Sequence, residues 1–411
     1  MWFLPVVVCV RAFSTLTYQY DTCAYIVNRL FFAAPKTTAQ SWQAKFLSPN
    51  AAAPYPLRII YTMKTTRLLS TLIVAFTGMA ATAAPGVWTS LTDSTLPADF
   101  KVQGEYAADH IGAQVIALGG GALQAVVYPG GLPGAGWNGK DKILLAGKVA
   151  GAGGATLEAA AGARKYLAQK PEEFSATSKF PPQGQKAWSG TIADDTLSLN
   201  TDDGKTLALK KTVRVSPTIG AKPPTGAIVL FDGTGKTAWK GGRADDKTKL
   251  LNTDGADIVT TRKFNNYTMH LEFLLPYKPE GRGQGRGNSG FYQVDMYEVQ
   301  ILDSFGLDGK NNECGGVYTK ADPILNMCLP PLVWQTYDVE FTNALADSAG
   351  KKTKNPVMTL KHNGVLIHDK LNIVGVTGGA RTEPEGTPGP IKLQGHGNPL
   401  QFRNVWIVER N

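Results

Sequence analysis

Charge is scarce in this 411-residue chain: only 18% of residues are Asp, Glu, Lys or Arg, and the Glu-, Lys- and Leu-rich repeats of coiled coils and helical bundles are missing. In its second half no window of twelve or more residues keeps a 3.6-residue apolar period, which excludes long amphipathic helices there. Four cysteines are too few for a disulfide scaffold. The apolar run after Met63 stops short of the roughly 20 residues a membrane helix needs. The Gly/Arg loop 281–290 lacks Gly-Lys-Ser/Thr and leads into a strand, so it is neither a P-loop nor a dinucleotide cradle. What is plentiful is 45 Gly, 25 Pro and 43% hydrophobic residues, the composition of turn-rich β structure with cores of useful size.

Met63 opens a charged stretch with Lys64 and Arg67; Leu68 to Phe76 is almost wholly apolar, and small residues run to Ala84. Those are the three parts of a secretory signal, so residues 63–84 are read as a signal peptide and 1–62 as a disordered or upstream-start extension. The mature chain, starting near Ala84 or Pro85, is then exported, periplasmic or extracellular, with no membrane span left after cleavage. Seven of the 42 Lys and Arg and one of the 33 Asp and Glu fall in residues 1–84, which cuts the formal charge from +9 to +3 beyond them. No basic stripe with interleaved aromatics remains to bind nucleic acid. Cys9 and Cys23 leave with the leader. Cys314 and Cys328 are read as one disulfide, worth roughly 3 kcal/mol in the chain-entropy model, with free thiols or metal ligation as alternatives.

The Pro- and Gly-rich stretch 216–225 marks a linker between two parts. Residues 85–215 read as an accessory, mostly-β domain, with strands near 114–118, 123–128, 142–145, 186–192, 196–200 and 206–210. Its Ala/Gly-rich middle, 146–163, is open between helix and loose connection. Residues 226–411 show alternating segments at 258–261, 268–275, 289–303, 336–342, 357–362, 365–369, 391–395 and 400–409, with Asn363-Gly364 as a hairpin turn. This spacing predicts an all-β sandwich.

Because side chains alternate across a strand, each segment divides into a core face and a polar face. Met269, Leu271 and Phe273 oppose His270 and Glu272; Val299 and Ile301 oppose Glu298 and Gln300; Ile391 and Leu393 oppose Lys392, Gln394 and His396. If the three segments adjoin on one curved sheet, their polar groups line a groove. If they do not, these are ordinary solvated faces.

The second part resembles the 3-keto-disaccharide hydrolase family, also described as 3-keto-glucoside lyase/hydratase and formerly a domain of unknown function. The resemblance is carried by Leu230-Phe231-Asp232-Gly233 with Trp239, Asn288-Ser289-Gly290-Phe291, Tyr297 through Asp303, Gly316-Val317-Tyr318, Trp334-Gln335-Thr336-Tyr337, Gly389 through Gly397 and Phe402-Arg403-Asn404-Val405. It spans 226–411 and leaves 85–215 unexplained. The segment from Cys314 to Cys328 departs from it.

The resemblance implies a concanavalin-like jelly-roll sandwich, preceded here by the smaller mostly-β domain, and an exported hydrolase or lyase acting on 3-keto-glycosides or oligosaccharides. A ketone at C3 acidifies the C2 proton; a base removes it, the C1 substituent leaves, and water adds to the enone. Such a route needs a base, an acid and a donor to the enolate. Glu298 is the expected base, His396 the acid/base partner and Gln300 a catalytic donor. Glu272, His270, Asn288, Asp303, Lys392, Gln394, Arg403 and Trp334 are expected to bind substrate. No cofactor is expected: the oxygen ligands near Asp303, Asp308 and Glu313 leave a divalent cation open as an alternative, but their spacing does not match the calcium-loop pattern. Two other readings stay open: a non-catalytic carbohydrate-binding, lectin-like module with Trp239, Trp334 or Tyr318 as aromatic platforms, and two-carboxylate glycoside hydrolysis by Glu272 and Glu298.

Overall fold

The computed structural model describes residues 86–411 except Ala152. The expected signal peptide at 63–84 and the expected extension at 1–62 lie outside the described residues. Eight antiparallel strands close into a barrel, running around it as Gly104–Ala108, Thr206–Thr212, Thr196–Asn200, Ser189–Ala193, Gly154–Ala159, Ile143–Ala150, Ala122–Pro129 and Ile111–Ala117. Closure leaves no free sheet edge. Tyr106, Val115, Val127, Leu145, Leu157 and Leu197 fill the interior.

The Ala/Gly-rich middle is therefore neither helix nor loose connection, but the hairpin Ile143–Ala150 with Gly154–Ala159. Its small residues permit close cross-strand approach: a Cβ on Gly147 would stand 1.9 Å from the Thr156 carbonyl oxygen. Alternation is hidden where alanine and glycine occupy both faces, which is why periodicity fails there.

Ile111–Ala117 and Ala122–Pro129 have almost no solvent face. Alternate residues point into the barrel, while Ile116, Val126 and Tyr128 pack into the core of the second body. Each such buried aliphatic or aromatic side chain contributes about 1.5–3 kcal/mol relative to exposure. Polar ties reinforce the contact. Arg282 Nη2 donates to the Leu118 carbonyl at 2.7 Å, Lys142 Nζ pairs with Asp308 at 2.7 Å, and the Tyr166 hydroxyl donates to Glu313.

The second body is a sandwich of two antiparallel sheets, and the nearly all-β fold of the jelly-roll class agrees with expectation. The larger sheet runs Arg243–Asp245, Leu250–Asn252, Gln401–Glu409, Tyr267–Leu274, Trp334–Thr342, Val357–His362, Val365–Asn372, with Ile228–Phe231 also paired to Gln401–Glu409. The smaller runs Trp239–Lys240, Ile258–Thr260, Lys392–Leu393, Ser289–Gln293, Tyr297–Ile301. Met269, Leu271 and Phe273 from one sheet meet Phe291, Val299, Ile301 and Leu393 from the other. Asn363 and Gly364 carry φ of 50° and 77°, the mirror-image turn that their sequence favours. The expected single segment 289–303 is itself a hairpin, turned at Val294 and Asp295 with φ of 45° and 57°. A β-branched residue in the left-handed region gives no turn signal in sequence.

Stretch 216–225 is not a free spacer. Ser216 and Thr218 bond Thr336 at 2.6 and 2.9 Å, Thr218 donates to Asp338 at 2.7 Å, and the Ala221 carbonyl accepts from Asn404 and Trp406 at 3.1 Å. It lies as a strap across the outer face of the larger sheet. Cys314 and Cys328 form no disulfide: both are free and buried. Each thiol instead joins a local hydrogen-bond set, Cys314 Sγ at 3.2 Å from the Tyr337 hydroxyl and Cys328 Sγ at 3.5 Å from the Leu302 carbonyl. Among the described residues no helix is long and apolar enough to cross a membrane.

Candidate active site

The two sheets divide the expected site residues. His270, Glu272, Arg403 and Trp334 belong to the larger sheet, and Glu298, Gln300, Lys392 and Gln394 lie on or beside the strands of the smaller one. A single groove holding all of them is therefore ruled out. Strand pattern fixes which way a side chain points, but not which sheet its strand joins.

On the larger sheet the polar groups under the strap are mostly matched, His270 Nε2 being the buried atom without a hydrogen bond. Glu272 Oε1 accepts from the Gly220 N–H at 2.6 Å and from Asn404 Nδ2 at 2.8 Å, while Oε2 accepts from Arg403 Nε at 2.7 Å. Burial alone would raise its pKa, but His270, Asn404, Arg403 and the Gly220 amide outweigh burial and take it to about 2. His270 sits 2.6 Å from Asp338 through Nδ1 and 3.5 Å from Glu272 through Nε2, stacked on Trp406. Burial disfavours its charged form, yet the two carboxylates win and raise its pKa. Arg403 lies 4.0 Å over the Trp334 ring. His270 and Glu272 are wholly buried and offer no open surface, whereas Arg403, with 37% of its side chain exposed, and the Trp334 ring beneath it reach the surface. Asp303 is likewise committed, to Arg286 Nε at 2.7 Å and to the Phe305 N–H at 3.4 Å. Trp239, one possible aromatic platform, is a core residue whose Nε1 donates to the Leu230 carbonyl.

The smaller sheet holds the other set. Pairing of Ser289–Gln293 with Tyr297–Ile301 sets Tyr292 directly opposite Glu298, and pairing with Lys392–Leu393 sets it opposite Lys392. The Tyr292 hydroxyl donates to Glu298 Oε2 at 2.9 Å and is also 2.8 Å from the Gly378 carbonyl. Lys392 Nζ stands 3.9 Å over the Tyr292 ring, 2.6 Å from Asp295 and 4.0 Å from Asp257. The Gln300 carboxamide lies 2.9 Å from both Glu298 Oε1 and the Ser289 carbonyl; with its nitrogen turned to them it donates to both. Gln300 also lies 2.7 Å from Gln284, which in turn receives Asn288 Nδ2 at 3.1 Å. Gln394 Nε2 donates to the Tyr292 hydroxyl at 3.3 Å. A side chain at Gly290 would place its Cβ 2.4 Å from Glu298 Oε1, so the carboxyl occupies space that only glycine leaves.

Burial pushes the Glu298 carboxyl up to about 7, against the lowering effects of Tyr292 and Lys392 and with a further rise from Asp257. Burial and the facing carboxylate raise the Tyr292 phenol as well. A carboxyl that titrates near neutrality beside a neutral phenol and an ammonium can take a proton and give it back. Tyr292, Asp257 and Asp295 were not singled out in sequence. For Tyr292 the signal existed, since alternation from core Phe291 puts it on the face of Glu298.

This face is covered rather than open: Glu298, Gln300 and Lys392 are 3%, 1% and 6% exposed. The cover comes from the stretch that follows Val365–Asn372. Thr377 Oγ1 accepts the Glu298 N–H at 2.9 Å, the Gly379 carbonyl accepts Lys392 Nζ at 2.6 Å, and Arg381 bonds the 294–295 turn. His396 is on an exposed loop beside it. Gly395 N–H donates to Asp257 at 3.0 Å, and among the described residues the imidazole has no hydrogen bond. Glu298 and His396 are thus not in direct contact.

The second body is thus a nearly all-β sandwich with a perturbed carboxyl on the outer face of one sheet. Residues 226–408 match the family described as the 3-keto-alpha-glucoside-1,2-lyase-like domain, and through this second body the chain belongs to that family. Three solved structures from Parabacteroides distasonis ATCC 8503, each named as a candidate glycosyl hydrolase, are similar to part of the chain. One is 33% identical, with 46% of this chain and 85% of that one covered and a TM-score of 0.42. The others are 21% and 18% identical, each covering 45% of this chain and 95% and 99% of their own, both with a TM-score of 0.33. No curated protein matches the chain.

Proposed function

We propose that the protein is an exported, carbohydrate-active enzyme that cleaves 3-keto-glycosides by elimination across C2 and C1, followed by hydration. The observation that carries the reading is the Glu298 carboxyl, raised to about 7 and bonded by Tyr292 on one face of a domain of this family. Glu298 takes the C2 proton. The C2–H electron pair becomes the C1–C2 double bond as the C1–O bond breaks, and the departing oxygen is protonated by Tyr292 or by His396 from the neighbouring loop. Water then adds its hydroxyl at C1 and gives its other proton to the deprotonated Tyr292 or His396, while Glu298 returns the proton it took to C2. Gln300, Lys392, Asn288 and Gln394 hold the sugar hydroxyls and the C3 oxygen, and substrate reaches Glu298 when the 377–381 cover yields.

Two-carboxylate hydrolysis by Glu272 and Glu298 is disfavoured, because Glu272 lies on the other sheet with all its hydrogen bonds taken. Incubation with a 3-keto-glucoside should release aglycone with transient enone absorbance, and the unoxidised glucoside should stay intact. Cleavage of the unoxidised glycoside, or of neither, overturns the proposal.

A further inference from the structure

Tyr318, one of the aromatic platforms expected from the sequence, is left unused by the function proposed above. A bridge between Val317 and Val299 places it beside Glu298, and its N–H donates to the Glu298 carbonyl at 3.1 Å. Val317 and Val299 both belong to the core, so by alternation Tyr318 stands on the outward face that carries the Glu298 carboxyl. Strand Ser289–Gln293 pairs along the opposite edge of Tyr297–Ile301, and Tyr292 and Tyr318 therefore flank Glu298 from two sides.

The two tyrosines differ in their hydroxyls. That of Tyr292 is spent on Glu298 and the Gly378 carbonyl. Tyr318 is half-buried, and among the described residues its hydroxyl has no protein partner, whereas every other described tyrosine donates to one. The Tyr318 ring lies against the cover, its nearest carbon 3.6 Å from where a Cβ on Gly378 would stand. Lys320 Nζ approaches the Cβ position of Gly375 to the same distance, and the valines on either side of that glycine, Val374 and Val376, are 66% and 38% exposed.

Glu298 thus has two unlike flanks. Beyond Tyr292 stand Lys392 and Gln394, donors suited to the hydroxyls and C3 oxygen of a keto sugar. On the other flank are a ring with an unspent phenol and two exposed valines, which suit a flat molecule with apolar faces and a polar edge.

We propose that Tyr318 contacts the leaving group and selects it, and that this group is a phenolic aglycone lying on the Tyr318 ring. The assignment rests on the 3-keto-glycoside reading, which supplies a leaving group at C1.

Kinetics with 4-nitrophenyl and methyl 3-keto-glucosides, on the unmutated chain and on Tyr318→Ala, Tyr318→Leu and Tyr318→Phe, test it. For the aryl substrate the Ala and Leu variants should raise KM about tenfold with kcat nearly unchanged, and Phe should stay within about threefold. For the methyl substrate all three should stay within about twofold. Leu keeps apolar contact with Gly378, so it serves if Ala fails to fold. An unchanged aryl KM in Ala or Leu, or an equal rise for both substrates, overturns the role of Tyr318. If the unmutated chain turns over neither substrate, the 3-keto-glycoside reading fails, and ligand-observed NMR with free 4-nitrophenol then decides for Tyr318. Contact that is lost in Tyr318→Ala or Tyr318→Leu supports the aromatic site, and its absence from the unmutated chain overturns it.

Discussion

Glu272 and Glu298 are both almost wholly buried glutamates, each on the outward face of a sheet in the same sandwich, yet one is held near pKa 2 and the other near 7. The difference lies in their partners. Glu272 receives an amide N–H from the strap, a carboxamide and a guanidinium, beside a histidine. Glu298 receives one phenol and a carboxamide, with the nearest ammonium spent on Asp295. Burial opposes the charged form in both, and only the first has enough donors to overcome it. A fully satisfied carboxylate holds a structure together, whereas an under-satisfied one can exchange a proton.

The most direct way to break this contrast is to remove each carboxylate in turn. Glu298→Gln should lower aglycone release from a 3-keto-glucoside by about 10²–10⁴-fold, while Glu272→Gln should keep turnover at temperatures where it stays folded. Full activity in Glu298→Gln removes the base from the mechanism.

Stability should respond in the opposite sense. Glu272→Gln should cost about 2–4 kcal/mol at pH 7, since it disrupts a buried, multiply bonded carboxylate. Because the folded pKa of Glu272 is depressed, its contribution is full above 4.5 and is lost as pH falls toward 2. Glu298 is raised instead, so its contribution is full below 4.5 and is lost as pH rises through 7. Glu298→Gln should therefore be more stable than the parent at pH 8, by at most about 3 kcal/mol, and should match it near pH 4. Urea unfolding at the two pH values checks both signs.

A finer test concerns the acid limb of activity. If Glu298 must be ionised to act, kcat/KM should rise with pH through about 7. Lys392→Met, by removing a charge that lowers the Glu298 pKa, should move that limb upward by up to about 1 unit. A limb that stays in place would show that Lys392 does not set the charge on Glu298.

Much of the sandwich is legible in the chain. The Asn363-Gly364 turn, the core-facing Met269, Leu271 and Phe273, and the shared face of Glu298 and Gln300 all follow from local alternation and turn chemistry. Sheet membership does not: Tyr267–Leu274 pairs with Trp334–Thr342 and Gln401–Glu409, strands distant in sequence, and no short-range pattern names those partners. For the same reason Glu272 and Lys392 could be assigned a face but not a common site. The strap was obscured in another way, since a Pro- and Gly-rich composition marks irregular backbone without saying whether its N–H and C=O groups meet water or buried side chains. Barrel closure depends on the pairing of the first and last strands, Gly104–Ala108 with Thr206–Thr212, across a hundred residues.

Ile111–Ala117 and Ala122–Pro129 have a consequence for anyone who cuts the molecule. Excised on its own, the barrel would present a greasy panel of Ile116, Val126 and Tyr128, and the sandwich an equally sticky counterpart, so separate expression of either half invites precipitation. Calorimetry of the intact chain should show both bodies melting in one endotherm. A fragment trimmed to the family boundary at residue 226 would lack its other half of a common wall.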